Sequence, residues 1–163
     1  MMYSIVYTSR TGNTALLART LRRCLPEEAC RYFGPPVPEI PETPLVLAGF
    51  WTDKGDCSPE LSAFLAGLHG RTVALFGTAG FGGSAAYFHA VLDRAARHVP
   101  PDNVLLPGFL CQGKMPPAVR ERYAAAGLDD KVAMFDAALP HPDGDDLEAL
   151  RAWAAGLPLF RKL

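Results

Sequence analysis

Short apolar runs alternate along the chain with stretches in which apolar residues recur every three or four positions. That alternation predicts an α/β fold, a parallel sheet with helices on both faces. The apolar runs Tyr3–Tyr7, Ala29–Phe33, Leu45–Phe50, Thr72–Phe76 and Val104–Phe109 read as five strands. Helical spacing predicts helices over Thr14–Leu25, Pro59–Leu68, Ser84–His98 and Asp145–Ala155. One more is expected at Pro116–Ala126, where Pro116-Pro117 suits a first turn and Gly127 a stop. Between Gly34 and Pro44 prolines are too frequent for a helix, so the crossover between the second and third strands should be abbreviated or irregular. Residues 1–163 show no internal repeat and read as a single domain, with 157–163 as a loosely held tail.

The first strand runs straight into Thr8-Ser9-Arg10-Thr11-Gly12-Asn13-Thr14 and then a helix. That order makes an anion cradle. The N–H groups of a first helical turn lack intrahelical acceptors, and the helix dipole favours negative charge beside them. Gly12 lets the backbone approach a ligand, while Thr8, Ser9, Thr11, Asn13 and Thr14 offer polar side chains and Arg10 a cation. The stretch is neither the six-position dinucleotide glycine fingerprint nor a Walker loop, which needs Gly-Lys-Ser/Thr. Hydroxyls in place of a lysine point to a terminal phosphate monoester.

This stretch resembles the phosphate loop of the flavodoxin family, whose pattern is met by Ile5, Val6, Tyr7, Ser9, Gly12, Thr14, Ala18 and Leu21. The resemblance implies a flavodoxin-like, doubly wound five-stranded parallel sheet of order 2-1-3-4-5, with FMN as cofactor. It implies a short-chain-like member carrying an insertion after strand five. Two further loops should then share the edge with the phosphate loop: Phe50-Trp51-Thr52-Asp53-Lys54-Gly55-Asp56 after strand three, and Thr78-Ala79-Gly80-Phe81-Gly82 after strand four. The second is similar to the family's ring-binding loop. Phe81 is the candidate to stack on the flavin, with Trp51 or Phe50 closing its other face; the alternative makes Phe81 and Trp51 loop-packing aromatics. Gly55 resembles a position where the family's backbone changes on reduction, and Lys54 would favour an anionic reduced flavin unless Asp53 and Asp56 cancel it.

Composition narrows the function. Half of the 163 residues are apolar and the net charge is −1, without a basic tract, so no nucleic-acid partner is expected. The N-terminus shows no signal-peptide pattern and no run is long enough to span a membrane, which suggests a cytoplasmic protein. Cys24, Cys30, Cys57 and Cys111 lack metal-ligand spacing and read as reduced thiols; Cys57 and Cys111 are weak redox candidates. Arg19, Arg22 and Arg23 suggest a solvated helix face, and His69, His89, His98 and His141 suggest no acid–base role. The run Cys111-Gln112-Gly113-Lys114-Met115 could wall the ligand, form a docking face or merely turn the chain. A phosphorylatable receiver on this fold would need acidic residues where the chain has Thr8-Ser9 and Phe50-Trp51. The expected function is a monomeric FMN electron carrier between a reductase and a dedicated acceptor oxidoreductase, with no catalytic residue of its own. The alternative is a stand-alone NAD(P)H- or quinone-linked FMN reductase.

Overall fold

A computed structural model describes residues 1–160. Its strands are β1 (Tyr3–Tyr7), β2 (Cys30–Gly34), β3 (Leu45–Asp53), β4 (Asp56–Cys57), β5 (Thr72–Ala79), β6 (Val104–Leu105) and β7 (Phe109–Gln112). Its helices are α1 (Asn13–Cys24), α2 (Pro59–Ala66), α3 (Ala85–Ala96), α4 (Pro117–Ala125), α5 (Asp129–Ala138) and α6 (Gly144–Ala155). The parallel core runs in the order β2-β1-β3-β5-β6, with β7 beside β5 further along. This is the expected 2-1-3-4-5 order, with two departures from five plain strands.

The first departure is the break in the last strand. β6 pairs with Thr72 and Val73 and β7 with Phe76–Ala79, with Leu106, Pro107 and Gly108 between them. Pro107 has no N–H to give a ladder, so the strand cannot run through it. The second departure is β4, which turns back on β3 as a hairpin, Thr52 facing Cys57 and Asp53 facing Asp56.

Strand alternation sorts the core into two layers. Tyr3, Ile5, Leu45, Leu47, Ala74 and Phe76 point to the face covered by α1 and α6. Val6, Val46, Ala48, Phe50, Val73 and Leu75 point to the face covered by α2 and α3. Helix α1 meets its layer through Leu17, Ala18 and Leu21, a spacing that keeps one stripe inward and leaves Arg19, Arg22 and Arg23 exposed. The Pro-rich crossover between β2 and β3 contains no helix, as its composition requires.

Helix α5 was not expected from the sequence, and it pairs with α4 to form the insertion. Only Phe135 and Ala138 of α5 are buried, so its apolar stripe is short. The expected loose tail begins otherwise than supposed: Leu157 is buried and Pro158–Phe160 make a short 3-10 turn. Residues 161–163 lie outside the described residues. Among the described residues, no helix is long and apolar enough to cross a membrane.

Candidate functional site

The turn after β1 depends on Gly12, which caps α1 at φ +90°. Space around it is open, so backbone conformation and not crowding demands glycine there. The loop's hydroxyls divide into two groups. Thr8 pairs its hydroxyl with Ser58, and its N–H donates to the Gly49 carbonyl at 3.0 Å. Thr14 is fully buried and donates its single hydroxyl proton to the Phe50 carbonyl at 3.1 Å, so Thr78 Oγ1, 3.1 Å from Thr14 Oγ1, is left to donate to it. These two hydroxyls tie the helix to the sheet. Ser9 and Thr11 are exposed, and Ser9 Oγ accepts the Ala15 N–H at 3.1 Å. The N–H groups of Asn13 and Thr14 have no acceptor among the described residues, so the helix start keeps its affinity for an anion.

Beside this turn lies a cavity of about 430 Å³, a volume usual for small-molecule sites. Its sheet side carries Trp51, Thr52 and Thr78; Trp51 and Thr78 are register partners, and Thr52 donates to the Thr78 carbonyl at 2.8 Å. Arg10, Thr11 and Asn13 reach it from the α1 turn, and Lys54 and Gly55 from the β3–β4 hairpin. Lys54 (φ +49°) and Gly55 (φ +81°) are both left-handed, the signature of a two-residue type I′ turn. Arg94 on α3 donates to the Gly55 carbonyl at 2.9 Å, and His98 holds Asp56 at 3.0 Å, so α3 anchors this turn from behind. Burial acts to raise the Asp56 pKa, but its bonds to His98 and the Cys57 N–H outweigh that and keep it below the usual carboxylate range.

The far wall comes from Gly80, Phe81 and the insertion: Met115, Val119, Arg122 and Tyr123. Met115 lies across Gly80 so closely that a Cβ there would come within 2.4 Å of its Cγ. Phe81 meets Tyr123 edge-on with ring centroids 5.9 Å apart, and Lys131 Nζ stands 5.3 Å from the Phe81 ring. Arg10 covers a face of Trp51 at 5.4 Å. Asn13 links the two sides by donating to the Lys114 carbonyl at 2.8 Å. Its own Oδ1 is buried and has no partner among the described residues.

A profile of the Flavodoxin domain matches residues 4–155. The chain belongs to the flavodoxin family. A Flavodoxin-like domain-containing protein BilS from Clostridium symbiosum (strain WAL-14163) is 39% identical over 181 residues, covering 93% of both chains. The solved flavodoxin of Streptococcus pneumonia TIGR4 superposes with a TM-score of 0.60 at 16% identity, over 95% of this chain and 96% of that one. A flavoprotein from Lactobacillus acidophilus NCFM, solved in complex with FMN, has a TM-score of 0.52 at 11% identity, over 68% of this chain and 93% of that one. At these identities the two structures share the fold.

Several residues that the flavodoxin resemblance assigned to the ligand do not line this cavity, although Thr8, Ser9 and Thr14 stay in or beside the α1 turn that borders it. Phe50 is wholly buried in the layer under α2 and α3, because it shares strand parity with Val46 and Ala48. Trp51, one residue on, takes the cavity side. Ala79 is buried, and its carbonyl accepts the Gly113 N–H. Gly82 borders a neighbouring hollow on the other side of its loop. Thr8 and Ser9 line a further hollow, which shares Arg10 and Trp51 with the main cavity. Thr14 is turned inward, its proton already given to Phe50.

Sequence reasoning missed Tyr87, Val119, Arg122 and Tyr123, all of which line the cavity. The two cysteines weighed for redox chemistry are buried thiols. Burial and Asp56 push Cys57 up to about 12, and burial, with Asp146 and Asp143 adding to it, pushes Cys111 higher. Both stay protonated at neutral pH and are poor nucleophiles.

Proposed function

We propose that the cavity binds FMN and that this flavodoxin is an electron carrier, taking electrons from a reductase and passing them to a dedicated acceptor oxidoreductase. One observation carries the reading. A helix start with open N–H groups and two flanking aromatic rings, Trp51 and Phe81, border a single cavity of mononucleotide size. The residues fit the group. Ser9, Thr11 and the Asn13 and Thr14 N–H groups would take the phosphate, and Trp51 and Phe81 would flank the ring. Bound FMN supplies the redox chemistry; the chain's part is to hold the ring at the end of the sheet and to limit its contact with water. We further propose a monomer of one domain in the cytosol, a setting that suits its four free cysteines.

The apolar wall of Met115, Val119 and Tyr123 favours a second reading, in which the insertion shapes a substrate pocket and the protein is an FMN reductase. Steady-state oxidation of NADH or NADPH by the purified holoprotein alone decides between them. A carrier shows none until a separate reductase is added, and sustained turnover without one supports the enzyme.

A further inference from the structure

Charge around the cavity is unlike charge in the chain as a whole. The protein carries a net charge of −1 and four lysines: Lys54, Lys114, Lys131 and Lys162. Lys54 and Lys114 border the cavity and Lys131 stands over its Phe81, while Lys162 lies outside the described residues. Arg10 and Arg122 border it too, and Asp53 is the one carboxylate among the residues that do. All five described cations are exposed. None has an ion-pair partner among the described residues, whereas Arg120 on α4 is paired with Asp136 on α5 at 2.8 Å. The insertion thus neutralises one cation between its helices and leaves the cations at the cavity open.

Their backbones are fixed. Lys54 sits in the tight turn anchored by Arg94, and the Lys114 N–H donates to the His141 carbonyl at 3.0 Å while its own carbonyl accepts from Asn13. The charges come from four separate places, the α1 turn, the β3–β4 hairpin, the β7–α4 loop and the α4–α5 pair, so they spread over a face and do not converge on one point. A spread of this kind suits another protein surface better than a small anion.

We propose that the mouth of the cavity is a basic docking face, and that the redox partner it receives presents an acidic surface to it. The proposal rests on the reading that the cavity holds a flavin, and it predicts a docking polarity opposite to that of an acidic carrier. The test has two arms. In the first, the protein is labelled with ¹⁵N, without and with FMN, and titrated with hexacyanochromate(III), a redox-inert paramagnetic trianion. Amides of 54–55, 114–115 and 122–123 should broaden first. Broadening confined to the Arg19, Arg22 and Arg23 side of α1, or uniform over the surface, overturns the proposal. Because this arm works without flavin, failure to bind FMN would show separately from failure of the face.

In the second arm, the reduced holoprotein is mixed in a stopped-flow instrument with rubredoxin, an acidic acceptor, or with cytochrome c, a basic one. Raising ionic strength from about 10 mM to about 500 mM shortens the screening length from roughly 30 Å to below 8 Å. The rate with rubredoxin should fall by about tenfold or more, and that with cytochrome c should rise. Lys114→Gln with Arg122→Gln should remove most of the rubredoxin salt dependence. Selective broadening at the cavity together with a rubredoxin rate indifferent to salt would mean that the face takes small anions only, and would overturn a protein partner.

Discussion

The two sides of the cavity are held by different physics. On the sheet side, Trp51 and Thr78 are locked in register by the β3–β5 ladder, and the Thr78–Thr14–Phe50 hydroxyl chain fixes the helix start to it. On the insertion side, position depends on an edge-on aromatic pair, a cation over Phe81 and the Asn13 bond to Lys114. Each of those is worth about 0.5–1.5 kcal/mol. The sheet side therefore sets the shape of the site through the fold, while the insertion side can be altered without unfolding the protein.

The largest expected effect comes from cutting the sheet side. Thr14→Val keeps shape but removes a buried donor, which should cost about 1–3 kcal/mol of unfolding stability. FMN and riboflavin should weaken together, since the lost bond was to Phe50. Selective loss of FMN, measured by titrating both flavins into the variant, would mean that the hydroxyl swings round to the phosphate.

Phe81→Ala cuts the insertion side and should be milder. Flavin affinity should drop by about 0.5–1.5 kcal/mol, up to about twelvefold. Flavin fluorescence should partly recover, and the thermal midpoint should fall by only a few degrees, as loss of the Tyr123 and Lys131 contacts requires. A variant that melts earlier with unchanged affinity would make Phe81 a packing residue and break the comparison.

The smallest effect is in the turn that α3 anchors. The folded Asp56 carboxyl titrates below its unfolded value of about 3.9, so its contribution to stability is in place above that value and is lost as pH falls through the lower, folded one. Asp56→Asn should therefore be less stable than the parent at neutral pH, and the gap should close on acidification below about pH 4. Unfolding curves across that range that stay parallel would mean that the His98–Asp56 contact adds nothing.

The same division governs how much could be read from the sequence. β1 and the α1 turn follow from local pattern, because apolar parity and a glycine-capped turn are local properties, whereas the strand order was implied by the flavodoxin resemblance and not by the pattern. The choice between Phe50 and Trp51 was also legible: counting by twos from Val46 through Ala48 puts Phe50 inside. The β3–β4 hairpin had a signal too, in Lys54-Gly55 between two aspartates. The break at Pro107 was visible as a proline inside an apolar run. What local pattern could not give was where α4 and α5 would dock. Tyr123 and Arg122 reach the cavity only because the insertion folds back across Gly80, a long-range packing choice that few buried side chains announce. The inward turn of Thr14 was hidden for a related reason, since its acceptor lies 36 residues away.

The most direct test of the central claim is a titration of apoprotein with FMN, riboflavin and FAD, followed by flavin absorbance and fluorescence. The phosphate should strengthen FMN over riboflavin by about 1.5–3 kcal/mol, roughly 10- to 150-fold, and FAD should bind poorly. Thr11→Val, which removes an exposed hydroxyl of the α1 turn, should narrow the gap between FMN and riboflavin without shifting the thermal midpoint. Equal affinity for FMN and riboflavin, or no change in the spectrum of either, would contradict a phosphate-anchored flavin in this cavity.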